Sequence, residues 1–312
     1  MKYNSIAAII VFCLLCSNLF AQVPIPTEID QVNKGRSFWK LSHGEIERKT
    51  RIEIPFNWDK SEKWPLMVFL HGGGASENFN GGAWTGFSKC SFQNKFIVAY
   101  PLGYEGHWND QRKNPTQPTM IKNIDDEGFI IGLKNQLVDL LNIDEQQVFL
   151  VGVSNGATMT QIIALRHTDE FSGYASVIQN VPKHILDTNP RPKPTRMLFI
   201  GATEDKFVPY DGGWSLLRWK KTVESLGFKQ SLDFWGNING STHSSIKTLN
   251  KFNDKTSVNV ISHKNAKLYE IVGGGHVWPG GNRWLEGNMG LGIDTREIEA
   301  CDEIWEFFRS KK

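Results

Sequence analysis

Two rhythms alternate along this chain. One is the short, unbroken apolar run: PLMVFLH (65–71), KFIVAYP (95–101), QVFLVGV (147–153), YASVI (174–178), RMLFIGA (196–202) and KLYEIVGGG (267–275). Each has strand length and is bounded by Gly, Pro or polar residues, so each reads as a strand covered on both faces. The other rhythm spaces apolar residues three or four apart. Phe129, Leu133, Leu137 and Leu141 mark one face of a helix that Asp125 or Asp126 caps. Helices are also expected over 83–93 (Trp84, Phe87 and Cys90), 155–167 and 214–226. A last helix is expected to open at Asp294 or Thr295. There Glu297 completes a capping box from Asp294, ahead of a stripe of Ile298, Cys301, Trp305 and Phe308. Residues 36–56 read as early strands, with alternation in RIEIPF (51–56). Residues 103–124 and 236–265 read as loops or hairpins.

Strands and helices in turn predict an α/β fold, a mostly parallel central sheet with helices on both faces. No repeat or low-complexity linker divides it, so residues 22–312 are expected to form a single domain. In such sheets ligands bind beyond the carboxyl ends of the strands. A motif therefore gains weight when it directly follows a strand.

The start of the chain obeys a different rule. Lys2, the apolar run from Ile6 to Leu15 and the Leu19-Phe20-Ala21 site read as a secretory signal over 1–21. The run is shorter than the roughly 18 residues of a membrane span. The expectation is an exported chain, extracellular or periplasmic, with no membrane attachment after cleavage. Charge adds little. Lys and Arg number 35 against 33 Asp and Glu, and loss of the signal removes one lysine, taking the formal charge from +2 to +1. Without a basic excess or a block of like charge, no nucleic-acid partner is expected.

Three motifs follow strands. Gly152-Val153-Ser154-Asn155-Gly156 stands where QVFLVGV gives way to a helix. A nucleophile on so sharp a turn needs glycines where Cβ atoms would clash, which marks Ser154 as a candidate nucleophile. Gly273-Gly274-Gly275-His276 follows the last strand and offers His276 as its base, ahead of His71, His107 and His263. The acid is expected between them. Asp205, just past RMLFIGA, is preferred to Glu204 and Asp211, because a carboxylate there can fix the histidine's tautomer. The order Ser, Asp, His is that of the α/β-hydrolases. His71-Gly72-Gly73-Gly74 can bare backbone N–H groups. With the N–H of Asn155 it makes a candidate oxyanion hole. Neither P-loop spacing nor a GxGxxG occurs, and no cofactor or metal is expected.

LHGGGASEN, AYPLG, HWND, DDEGFI, VFLVGVSNGATMT, GATEDKFVPYDGG and GGGHVWPGG follow one another over residues 40–310. In this the chain resembles the secreted polyhydroxybutyrate-depolymerase-like and feruloyl/acetylxylan esterase group of the α/β-hydrolases. The resemblance implies an α/β-hydrolase catalytic domain. It matches Ser154 to the nucleophile, Asp205 to the acid, His276 to the base and Gly73 to the oxyanion loop. Many relatives carry a cysteine after that His-Gly, and Gly73 stands there instead. The resemblance also implies that Trp108 and Trp278 bind substrate near the site, and Trp284 is a further candidate. The first and last helices of that fold share one face of the sheet, which predicts a Cys90–Cys301 disulfide.

The expected function is a serine carboxyl-ester hydrolase acting through an acyl-enzyme. Its expected substrates are polymer-borne feruloyl or acetyl esters of plant cell-wall polysaccharide, feruloyl before acetyl, with polyhydroxyalkanoate polyester next. Two other classes compete: a prolyl-oligopeptidase-like peptidase, and a glycan-binding protein using some of the 11 tryptophans. The chain leaves no room for a propeller domain, which weighs against the first. The complete Ser, Asp and His set weighs against the second.

Overall fold

The computed structural model describes residues 22–76, 81–217, 220–252, 254–281 and 290–310. The signal expected at 1–21 and Trp284 lie outside the described residues. The strands are β1 (Gln22–Pro24), β2 (Gly35–His43), β3 (Ile46–Ile54), β4 (Trp64–Leu70), β5 (Ile97–Pro101), β6 (Ile143–Val153), β7 (Gly173–Val177), β8 (Met197–Ala202), β9 (Gly212–Leu217), β10 (Lys220–Leu226), β11 (Ser245–Leu249), β12 (Ser257–His263) and β13 (Ala266–Val272). The longer helices are α1 (Phe87–Asn94), α2 (Asp126–Leu141), α3 (Asn155–Arg166), α4 (Phe228–Ile238) and α5 (Ala300–Arg309). None is long and apolar enough among the described residues to cross a membrane.

The apolar runs are strands because they alternate between two covered faces. In β4, Leu66, Val68 and Leu70 enter one core, and Met67 and Phe69 enter the other. The first core takes Phe129, Leu133 and Leu137 from α2, Met159 and Ile162 from α3, and Leu232 and Trp235 from α4. The second takes Phe87 and Cys90 from α1 and Ile304, Trp305 and Phe308 from α5. The result is a sheet clad on both sides, the α/β-hydrolase architecture.

Strand order across the main sheet is β1-β2-β3-β5-β4-β6-β7-β8-β13-β12-β11. The six strands from β5 to β13 run parallel, and β2, β3, β12 and β11 extend the edges in antiparallel pairing. The order reverses at β4. The chain leaves β4 for β5 on one side and returns to lay β6 on the other. Such a reversal leaves a crevice at the carboxyl ends of the two strands, where ligands bind in open α/β sheets. The loops that open there are HGGG after β4 and the Ser154 turn after β6.

Three local expectations change. Residues 214–226 are not a helix: β9 and β10 form a separate antiparallel hairpin. Gly212 and Gly213, with φ of 89° and 103°, lead into it. Leu217 is exposed while Thr222 and Val223 are buried. The last helix begins at Ala300, later than Asp294 or Thr295. Asp294 and Glu297 cap nothing because they are used sideways: Oδ2 of Asp294 accepts the Gly280 N–H (3.2 Å) and Oε1 of Glu297 the Phe252 N–H (2.7 Å). The helix expected over 83–93 is broken at Gly86, whose φ is 80°.

Cys90 and Cys301 do meet across α1 and α5, but as buried free thiols rather than a bridge. Their sulfurs lie within 4.8 Å, and the Cys90 thiol donates toward the Cys301 carbonyl at 3.7 Å.

Candidate active site

Ser154 occupies a backbone conformation few residues adopt, φ 53° and ψ −117°. Positive φ in a residue with a Cβ costs roughly 1–3 kcal/mol and persists only where the surroundings impose it. Here they do: the Ser154 N–H donates to Val177 of β7 (3.0 Å), and its carbonyl accepts from Thr158 in the first turn of α3 (3.0 Å). The flanking glycines are required by space. A Cβ on Gly152 would lie 2.3 Å from the Gly156 carbonyl oxygen, and one on Gly156 would lie 2.3 Å from that of Leu70. With both Cβ atoms missing, β6 can turn directly into α3 and lift the hydroxyl above the sheet.

The Ser154 Oγ lies 3.1 Å from Nε2 of His276, and Nδ1 of that ring lies 2.7 Å from Oδ2 of Asp205. The other carboxylate oxygen, Oδ1, accepts the N–H groups of Phe207 (2.8 Å) and Val208 (2.9 Å). Asp205 is thus pinned by its own loop and aims one oxygen at the imidazole. That fixes the tautomer: Nδ1–H donates to Asp205 and Nε2 is left to accept from the serine. Glu204 and Asp211, the rival acids, are exposed.

The histidine is placed by its glycines. Gly273 has φ 79°. A Cβ on Gly275 would lie 2.2 Å from the Leu291 carbonyl oxygen, and the N–H groups of Gly275 and His276 donate to Ile293 (2.9 Å) and Leu291 (2.6 Å). The Phe207 ring, partly exposed, sits 5.2 Å from the imidazole centroid to centroid.

The HGGG loop lies beside the serine. A Cβ built on Gly72 would be 3.5 Å from that of Ser154, and one on Gly73 would be 3.7 Å from that of Asn155. The N–H groups of Gly73 and Asn155 have no backbone or side-chain acceptor among the described residues. Two such donors flanking the Ser154 hydroxyl have the geometry that would receive a developing oxyanion.

His71 is not part of this chain of bonds. Its Nδ1–H donates to the Gly72 carbonyl (2.7 Å) and its Nε2 accepts the Gly103 N–H (2.9 Å). Burial lowers its pKa to about 4. It staples the β4 loop to the loop after β5. His263 lies elsewhere, bonded to Asp233 and Ser241. His107 rests against the oxyanion loop, its ring 3.1 Å from where a Gly73 Cβ would be.

The two tryptophans expected to touch substrate are interior. Trp108 is 0% and Trp278 2% exposed. The Trp108 indole N–H donates to the His71 carbonyl (3.0 Å), and that of Trp278 to the Thr85 carbonyl (3.1 Å). Trp278 packs among Phe69, Trp84 and Phe87. A buried indole with its N–H occupied offers no face to a substrate, so both brace the loops that carry the site. Residues whose side chains are close enough to share a metal are, among the described residues, Cys90, Cys301 and Asp302, and none belongs to this site.

Comparison with known proteins fits this geometry. No family model matches the chain. It is 24% identical over 237 residues to feruloyl esterase B of Piromyces equi, covering 73% of this chain and 42% of that one. It is 31% identical over 117 residues to poly(3-hydroxyalkanoate) depolymerase C of Paucimonas lemoignei, covering 36% and 27%. The chain therefore spans less than half the length of these two relatives. Among solved structures, the acetyl xylan esterase of Aspergillus awamori superposes with a TM-score of 0.55 at 14% identity, over 87% of this chain and 98% of that one. The chain is thus similar in sequence to several esterases and shares the fold of an acetyl xylan esterase.

Proposed function

We propose that this chain is an exported serine carboxyl-ester hydrolase, with Ser154, His276 and Asp205 as its triad. The observation that carries the reading is the unbroken line of hydrogen bonds from Ser154 Oγ through His276 to Asp205, beside two N–H groups without acceptors among the described residues. Ser154 attacks the ester carbonyl while Nε2 of His276 takes its proton. The tetrahedral oxyanion is held by the N–H groups of Gly73 and Asn155. The imidazolium, stabilised by Asp205, returns the proton to the departing alcohol. Water then repeats both halves on the acyl-enzyme and releases the acid. Removing one oxyanion donor typically costs about 10²- to 10³-fold in kcat.

For substrate, feruloyl or acetyl esters borne on plant cell-wall polysaccharide are the leading reading, supported by likeness to a feruloyl esterase and by the fold shared with an acetyl xylan esterase. Polyhydroxyalkanoate is the second, supported by likeness to a depolymerase. The apolar segment from Ile6 to Leu15 supports export.

A panel of methyl ferulate, acetylated xylan, a hydroxybutyrate oligomer and a peptide anilide, with Ser154→Ala alongside, tests both levels. Turnover of ferulate or acetylxylan that vanishes in Ser154→Ala is expected. Preference for the oligomer moves the substrate to polyester. Cleavage of the anilide alone, or full turnover by Ser154→Ala, refutes the proposal.

A further inference from the structure

Of the buried charges that the hydrolytic steps above leave unused, one bonds directly to the residue after Ser154. Asp110, in the HWND segment, is 0% exposed. Its carboxylate takes Nε of Arg112 at 2.8 Å and also Nη2, so the pair is bidentate. Its Oδ1 also accepts the Arg112 backbone N–H at 3.4 Å, and its Oδ2 accepts from the side-chain amide of Asn155, whose Nδ2–H donates at 3.0 Å. Asn155 immediately follows the nucleophile and supplies the second oxyanion N–H.

The rest of the Asn155 amide is spent on the same segment. Its Oδ1 accepts the Trp108 N–H (2.8 Å) and its Nδ2 also donates to the Trp108 carbonyl (3.2 Å). Three bonds from one short side chain leave the first residue of α3 little freedom. Behind them, Nε2–H of His184 donates to the Asp110 carbonyl (2.8 Å), which holds the Asp110 backbone from the opposite side.

A neutral acceptor would satisfy an amide, and burying a carboxylate is costly unless it is paired and fully bonded. The charge-assisted bond is the stronger and more directional choice. Among the described residues, its one side-chain bond beyond Arg112 points at a residue whose backbone must be fixed within a fraction of an ångström. Misplacing a catalytic group by about 1 Å can cost on the order of 100-fold in rate.

We propose that Asp110, held by Arg112, is a positioning residue that fixes the Asn155 N–H in the oxyanion hole through the Asn155 side chain. The proposal rests on the serine-hydrolase reading of Ser154.

The test is a double-mutant cycle on p-nitrophenyl acetate with Asp110→Asn, Asn155→Ala and the pair, plus Asp110→Ala and Ser154→Ala. Melting temperature and the affinity of an aryl boronic acid, which forms a tetrahedral adduct on the serine, are read in parallel. Asp110→Ala is expected to lower kcat and kcat/KM by the same factor, on the order of 10- to 100-fold. Boronate affinity should fall in proportion. Asp110→Asn, which keeps one acceptor oxygen, should recover part of the loss. In the Asn155→Ala background, Asp110→Asn should have no further effect on kcat. If Asp110→Ala does not fold, the cycle with Asp110→Asn still decides. Independent, multiplicative losses overturn the proposal. So do variants that melt earlier yet keep wild-type kcat and boronate affinity. Inactive Ser154→Ala beside fully active Asp110 variants refutes the positioning role alone, whereas active Ser154→Ala refutes the hydrolase reading beneath it.

Discussion

HGGG at 71–74 and GGGH at 273–276 have the same composition in opposite order, and both follow a strand of the parallel sheet. They do opposite work. In the first the histidine is structural and the glycine backbone faces Ser154 and Asn155. Both ring nitrogens of His71 are bonded to main chain, and burial holds its pKa at about 4, so it has neither a free lone pair nor the basicity to take a proton at neutral pH. In the second the glycines are structural and the histidine faces the Ser154 hydroxyl. His276 is only partly buried, and its two nitrogens go to a carboxylate and a hydroxyl. The difference teaches that a histidine beside glycines carries no role in itself. What it bonds to decides the role.

The largest effect expected from breaking this contrast is on turnover. His276→Ala should lower kcat by about 10⁴-fold or more while leaving the melting temperature close to wild type. A loss below 10-fold on the same ester would assign the base elsewhere. The corresponding lesion at His71 should appear in stability. Its folded pKa of about 4 lies below the ordinary 6.5. Between those values the unfolded chain binds the proton and the folded chain refuses it. The contribution is therefore whole above pH 6.5 and is lost as pH falls toward 4, by up to about 3 kcal/mol. Denaturant titrations from pH 7 to pH 4 should show this slope, and His71→Asn should flatten it. An unchanged slope in the variant would remove His71 from the account. A smaller change should follow from Gly275→Ala. Its Cβ meets the Leu291 carbonyl oxygen at 2.2 Å, so the loop must shift and carry His276 with it. A loss of kcat on the order of 10-fold is expected, with the Asp205–His276 pair intact. Wild-type kcat would mean that the loop absorbs the shift without moving the ring.

Much of this was open to sequence reading, for a physical reason. A strand buried on both faces must be apolar throughout, so the parallel strands announce themselves, and chemistry collects where they end. That rule singles out Ser154, Asp205 and His276 as candidates, and the structure brings them within hydrogen-bonding distance. What escaped depends on the side chain's surroundings rather than its type. Trp108 and Trp278 lie next to site motifs, but an aromatic letter does not say which way the ring points, and both point inward. Residues 214–226 fit a helix by spacing, yet the paired β9 and β10 overrode it. Asp294 and Glu297 stood at capping distance but were drawn to the backbone of other segments. Asp110 sat in plain view in HWND. Its only sequence signal was a carboxylate two residues from an arginine, a pattern common on surfaces.

The central proposal is that Ser154 is a nucleophile activated by His276. Mass spectrometry of the tryptic peptide carrying Ser154, after exposure of the protein to a fluorophosphonate, tests it most directly. The account predicts one adduct on Ser154 in the wild type, none in Ser154→Ala, and labelling slowed by orders of magnitude in His276→Ala. An adduct on another residue, or labelling of Ser154→Ala at the wild-type rate, would contradict it.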